Sequence, residues 1–279
     1  MRFLAAWNVA KAWLLLGAFA VVLAGCGYLV GGYRAIPYFV FSALLIGATV
    51  YWYADRIVLA MLGARELPLG AAPVLHATVE HLAHRAGVLR PKLYLLDDGF
   101  PRALAAGRGP AGGSGIAVSR GLVEALPPAE LEGVLAHELA HIANRDVVVQ
   151  TAAVLVALTI VEAARVGGFM SRALLFVFGP IAAAFTHALL SPKRELAADR
   201  RAAEICESPH GLADALVRLE QASELIQFTA SAATEPLYTI NPFAEEGLAA
   251  LFVTHPPIAE RVSRLRALDP SWREKLRAA

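Results

Sequence analysis

Two uncharged runs near the N-terminus constrain this chain more than anything else in it. Between Lys11 and Arg34 lie 22 residues without a formal charge, AWLLLGAFAVVLAGCGYLVGGY, and between Arg34 and Asp55 another 20, AIPYFVFSALLIGATVYWYA. As a helix, each is long enough to cross a bilayer's hydrocarbon core, about 30 Å thick. Residues 1–62 are therefore expected to form two transmembrane helices. Tyr51, Trp52 and Tyr53 close the second run with aromatics of the kind that gather at the headgroup level. Composition agrees: the chain is 57% hydrophobic and 18% charged, against roughly 45–50% and about 25% in a soluble domain. Arg2 and Lys11 precede the first run, Arg56 and Arg65 follow the second, and only Arg34 lies between, which predicts that the bulk of the chain is cytoplasmic. LAGC at 23–26 also fits a lipoprotein cleavage site, an alternative that leaves the second span and the side of the remaining chain unchanged.

A net charge of +1 gives no global basic field, which argues against nucleic acid as the main partner. The two cysteines, Cys26 and Cys206, sit in different settings, so neither an internal disulfide nor a cysteine metal cluster is expected, and a reducing compartment fits. A second hydrophobic pair, Val147 to Val161 and Ala173 to Pro192, is joined by a stretch holding Glu162, Arg165 and Arg172. Residues 147–190 read as a hydrophobic helical hairpin that is expected to span the membrane. The short first member, Pro180 and His187 leave partial insertion or packing on the protein open.

Between these pairs the pattern changes. AAPVLHATVEHLAHRAGV at 71–88 has helical periodicity, with Val74, Leu75, Val79, Leu82 and Val88 near one stripe; His76, His81 and His84 fall on the polar side and read as solvated. PKLYLLDD at 91–98 and GGSGIAVSRG at 112–121 predict strands, with ALAAGRGPAG forming the second strand's partner and turn. A small sheet follows.

Polar chemistry concentrates in LPPAELEGVLAHELAHIAN. Pro127 and Pro128 suit a first helical turn, Glu130 and Glu132 favour its dipole, and Leu131, Val134, Leu135, Leu139 and Ile142 supply an apolar face. On that helix His137 and His141 stack one turn apart, about 5–6 Å between Cβ atoms, so that both imidazoles reach one ion. Glu138, rotated about 100° from His137, lies beside that ion without having to bind it. Zinc hydrolysis needs this set: ligands that leave a coordination position for water, and a base to take the water proton. A third ligand is required. SPKRELAADRRAAE at 191–204 offers Glu195 and Asp199 on one helical face, Glu195 as ligand and Asp199 as acceptor for the distal N–H of a ligand histidine. The reverse assignment stays open. Glu195 reaches the histidines only if the chain between them crosses the membrane an even number of times, or not at all.

Together these segments resemble the HtpX-type membrane metalloproteases, related more distantly to the CAAX prenyl proteases. The resemblance runs through two N-terminal spans, ARELP, PKLYLLDDGFPRALAAGRG, IAVSRGLVEALPPAELEGVLAHELAHIANRD, a hydrophobic hairpin, SPKRELAADRRAAE and LFVTHPPIAERVSRL. It implies an α+β fold, mostly helical: a zincin-like (gluzincin) catalytic domain with a small β-sheet, built from 63–146 and 191–279, plus transmembrane helices. It further implies one zinc ion held by His137, His141 and Glu195, with Glu138 as base. The implied activity is that of an endopeptidase of the bacterial inner membrane, facing the cytoplasm, cleaving misfolded or damaged membrane proteins. Its partners would be unfolded or membrane protein substrates and the lipid bilayer; nothing sets an oligomeric state. One departure stands out: where relatives typically read Asn-Ala-Phe-Ala, this chain has Arg102, Ala103, Leu104 and Ala105.

The resemblance also suggests that an extended substrate pairs with an exposed strand, expected here at Gly115, Ile116, Ala117, Val118 and Ser119. His255, in THPP at 254–257, is placed as a reversible fourth ligand, a stabiliser of the charged transition state, or a structural turn histidine. Asn144 and Asp146 read as helix-end contacts. Two alternative functions stand beside the quality-control peptidase: a CAAX-type processing peptidase, and a silent membrane adaptor retaining a structural zinc. Intact Glu138 favours an enzyme.

Overall fold

The computed structural model describes residues 31–151, 192–225 and 256–269, with isolated positions between 17 and 29. The first apolar run, LAGC, most of the hairpin at 147–190 and His255 thus lie largely or wholly outside the described residues. Helix α1, Ile36–Met61, follows a short 3₁₀ turn at Gly32–Arg34. Among the described residues no helix is long and apolar enough to cross a membrane. Tyr38, Phe41, Leu44 and Leu45 of α1 are exposed, whereas Val58 and Leu59 near its end are buried where the helix meets the sheet.

Four strands form a mixed sheet: β1 Arg65–Glu66, β2 Lys92–Leu96, β3 Ala103–Gly107 and β4 Ser114–Ser119, in the order β1-β2-β4-β3. β4 pairs parallel to β2, Leu93 facing Ile116, and antiparallel to β3, Ala105 facing the same Ile116. The expectation that 115–119 is an exposed edge is therefore corrected. Neighbours on both sides take the backbone N–H and C=O groups of β4, and Gly115, Ile116, Ala117, Val118 and Ser119 are all buried. The edges are β1 and β3. Neither β3 nor β4 alternates in burial, the mark of strands covered on both faces; α1 packs on both, and the metal-motif helix packs on β3.

Helix α2, Pro73–Ala86, starts at a proline and stops where Gly87 takes a left-handed conformation, φ 71°, with Val88 N–H donating to Ala83 C=O. Its buried stripe is Val79, Leu82, Ala83 and Ala86. Val74 faces solvent because it lies about 100° round from Leu75 at the helix start, off that stripe. His76 is not solvated. It is buried, with Nε2 at 3.1 Å from Leu67 C=O and Nδ1 at 2.9 Å from Arg90. The short α3, Arg120–Ala125, is capped by Ser119, whose hydroxyl accepts from Leu122 N–H at 3.0 Å.

Helix α4, Pro128–Ala143, is the centre of the molecule, with every residue from Gly133 to Ile142 buried. It is covered by α2, by β3, by α5 (Pro192–Cys206) and by α6 (His210–Leu225). Gly133 and Gly211 permit the closest of these approaches: a Cβ at Gly133 would strike the backbone of Gly211 and Leu212, and one at Gly211 that of Ala129. Arg218 of α6 donates twice to Glu130 of α4, at 2.7 and 2.9 Å. Helix α7, Ile258–Arg266, then packs across α5 and α6.

Candidate metal centre

A helix enclosed on all sides should be apolar throughout, because a polar group taken out of water without a partner costs several kcal/mol. α4 nevertheless carries His137, Glu138 and His141, which are 1%, 3% and 4% exposed. The rings of His137 and His141 meet edge to face, centroids 4.6 Å apart, with their Nε2 atoms at 3.1 Å. Glu195, in the first turn of α5, sets one carboxylate oxygen 3.6 Å from His137 Nε2 and the other 3.5 Å from His141 Nε2. Ligand atoms of these three residues all lie within 4.8 Å of one another.

The far side of each ring faces an acid. His137 Nδ1 lies 3.0 Å from Asp199 Oδ1, and His141 Nδ1 is 3.2 Å from Asp146 Oδ2. Carboxylates only accept, so His141 Nδ1 carries the proton and in the neutral ring its Nε2 presents a lone pair, whereas His137 Nδ1 lies beside Asp199 without making a hydrogen bond. Two ring nitrogens and a carboxylate facing one another in a dry site are costly unless a positive charge, a proton or a metal ion, lies among them. The spacing suits one: nitrogens each about 2.0–2.1 Å from a tetrahedral zinc stand about 3.3 Å from each other. Donor set and geometry thus fit a divalent metal. Burial works against charge on His137, but Asp199 and Glu195 outweigh it and push its pKa up to about 9, so the surroundings favour positive charge there.

Behind each acid stands an arginine. Arg261 of α7, 1% exposed, donates Nε and a terminal nitrogen to the two Asp199 oxygens at 2.8 and 2.7 Å. Burial disfavours the Asp199 charge, but Arg261 and His137 hold the carboxyl down at about 2. Burial equally opposes the Arg261 charge, which Asp199, Glu195 and Glu138 together more than restore. Glu138 therefore acts electrostatically on the same cluster. On the other ring Arg194 donates Nε to Asp146 Oδ1 at 2.8 Å and a terminal nitrogen to Asp146 C=O at 3.1 Å.

Glu195 faces the two Nε2 atoms and Asp199 faces Nδ1, the first of the two orders that the spacing left open. The assignment of Asp146 to a helix-end contact is corrected. Arg145 takes a left-handed conformation, φ 61°, just after α4 ends, and the turn aims Asp146 back at His141. Arg261 was not singled out from the sequence. It sits in AERVSRLR among charged residues of a strongly amphipathic helix, where a buried arginine looks like any surface one; only its place on the Val262 and Leu265 side gives a hint.

A buried histidine pair on one helix, a glutamate from a second helix and a carboxylate behind each imidazole define a metallopeptidase. Residues 71–269 match the description of peptidase family M48, and the chain belongs to that family. It is 36% identical over 275 residues to the Protease HtpX homolog of Persephonella marina, covering 91% of this chain and 95% of that protein. Against the HtpX homologs of Pelotomaculum thermopropionicum and Aquifex aeolicus the identities are 37% and 38%, covering 94% and 89% of this chain and 99% and 89% of theirs. The solved structure of S. mikatae Ste24p shares the fold, with a TM-score of 0.50 at 18% identity over 95% of this chain, which spans 66% of that one.

Proposed function

We propose that this protein is a membrane-anchored, zinc-dependent endopeptidase that cleaves unfolded or damaged membrane proteins on the cytoplasmic face. One observation carries the reading: two imidazole Nε2 atoms 3.1 Å apart, turned toward the Glu195 carboxylate, with an acid behind each ring. His137, His141 and Glu195 would hold the metal. Zinc bound there supplies a Lewis acid and brings the pKa of water toward about 7. Glu138 takes the proton of the attacking water and delivers it to the departing amine. Asp146 fixes the His141 ring in the tautomer that keeps Nε2 free to ligate, Asp199 lies against Nδ1 of His137, Arg261 holds Asp199 ionised, and Arg194 anchors Asp146 by hydrogen bonds.

The membrane placement draws on the uncharged runs and on the outward apolar side chains of α1. Because Glu195 meets the histidines, residues 151 and 192 lie on the same side of the membrane. Strand pairing by an extended substrate belongs on β3, an edge strand that contacts α4, rather than on the internal 115–119. Freshly purified protein should hold one zinc and digest unfolded casein; Glu138→Gln should keep the zinc and lose at least about a hundredfold in turnover. Casein cleavage that survives Glu138→Gln would reject the mechanism.

A further inference from the structure

At the C-terminal end of α1 lies a cavity of about 560 Å³. Four cations converge on it: Arg56 from α1, Arg90 just before β2, Lys92 at its start, and Arg108 from the turn between β3 and β4. Two of them are answered at the rim, Lys92 by Glu66 at 2.8 Å and Arg90 by Glu80 at 3.2 Å. Among the described residues Arg56 and Arg108 lie near no carboxylate at bridging distance. They stack on aromatic rings, Arg56 at 5.8 Å from the Tyr53 centroid and Arg108 at 4.5 Å from that of Trp52. Among the described residues Asp55 is the one carboxylate that lines the same space, so their lining carries excess positive charge. Arg108 Nε is buried without a hydrogen-bond partner, and its guanidinium lies against Gly113, where any side chain would collide with it.

We propose that this cavity binds the phosphate headgroup of an anionic phospholipid. Guanidinium groups suit phosphate because their paired N–H donors match its oxygens, and ring stacking leaves those edges open. The volume falls within the range of about 300–1,000 Å³ typical of small-ligand pockets. A free phosphate would meet the same donors, but position favours a lipid. Trp52 and Tyr53, which line the cavity, end the apolar run of α1 where interfacial aromatics belong, and Phe41, Leu44 and Leu45 are exposed in the turns before them. Acyl chains can follow that surface while the headgroup enters the basic chamber. This inference rests on the membrane placement given under Proposed function.

The test uses the full chain in neutral detergent, titrated with dihexanoyl phosphatidylglycerol, dihexanoyl phosphatidylcholine and inorganic phosphate, with binding followed by calorimetry. Phosphatidylglycerol should bind, and phosphatidylcholine and inorganic phosphate should bind at least about tenfold more weakly. Arg56→Gln and Arg108→Gln should each weaken phosphatidylglycerol about tenfold. Asp55→Asn should strengthen it severalfold, a gain that damage to the fold would not produce. Equal affinity for phosphatidylcholine, displacement by inorganic phosphate at similar concentration, or indifference to all three substitutions overturns the proposal. Two controls separate this outcome from the reading beneath it. Wild-type protein stripped from membranes by alkaline carbonate overturns the membrane placement and the lipid site together. Protein that stays in the membrane but binds no phosphatidylglycerol overturns the lipid site alone, and casein cleavage with zinc content reports on the peptidase independently.

Discussion

The two histidines of the metal centre are held by arrangements that look alike and are built differently. Behind His137 stand Asp199 and Arg261, from α5 and α7, both almost wholly buried. Behind His141 stand Asp146, five residues along the chain, and Arg194, whose side chain is 11% exposed. The first relay exists only when three distant helices have docked; the second is half made by a local turn. A charge pair closed off from water gains more from its partner, and loses more when the partner goes, than one that water can reach.

That contrast can be broken experimentally. The largest effect should come from Arg261→Met, which strands Asp199 as a buried, unpaired charge; about 3–5 kcal/mol of stability should be lost in urea unfolding. Arg194→Met should cost less in the same assay, about 1–3 kcal/mol, since Asp146 keeps its contact with His141 and water reaches the Arg194 side more easily. Equal losses would remove the distinction. In zinc affinity, Asp199→Asn should weaken binding by about 10–100-fold and Asp146→Asn by about tenfold, read by competition with a chromogenic chelator. Acid should sharpen the picture further. The Asp199 carboxyl is held down at about 2 from an ordinary 3.8, so its stabilising contribution is complete above about pH 4 and is lost as the pH falls toward 2. Unfolding of the metal-free protein should therefore show about 2 kcal/mol of acid-dependent loss in that window, absent in Asp199→Asn. Smallest of all, Arg194→Lys should leave zinc content unchanged while slightly loosening the Asp146 turn, visible as faster amide exchange at 144–146.

Much of the site could be read before any coordinates. The helix bearing His137, Glu138 and His141 announces itself by a proline start, an early acid and apolar spacing, all local properties. Glu195 and Asp199 were legible as a pair because one helical turn puts them on one face, although spacing alone could not say which would face Nε2. Asp146 was visible but misjudged, since its role depends on a left-handed Arg145 where glycine or asparagine is the ordinary choice. Arg261 and the basic cavity were not legible, because arginines in an amphipathic helix or at strand ends look solvated until another element covers them. The placement of 115–119 went wrong for a related reason: an apolar run of that length suits a central strand as well as an edge strand.

By itself the sequence determined which groups would be costly to bury and which segments would be helix or strand, because periodicity, caps and composition act over a few residues. Tertiary structure alone decided that β4 would sit inside the sheet, that α5 and α7 would close on α4, and which acid would serve which imidazole. Those outcomes depend on contacts between residues tens of positions apart, formed only when the apolar faces of several elements leave water together.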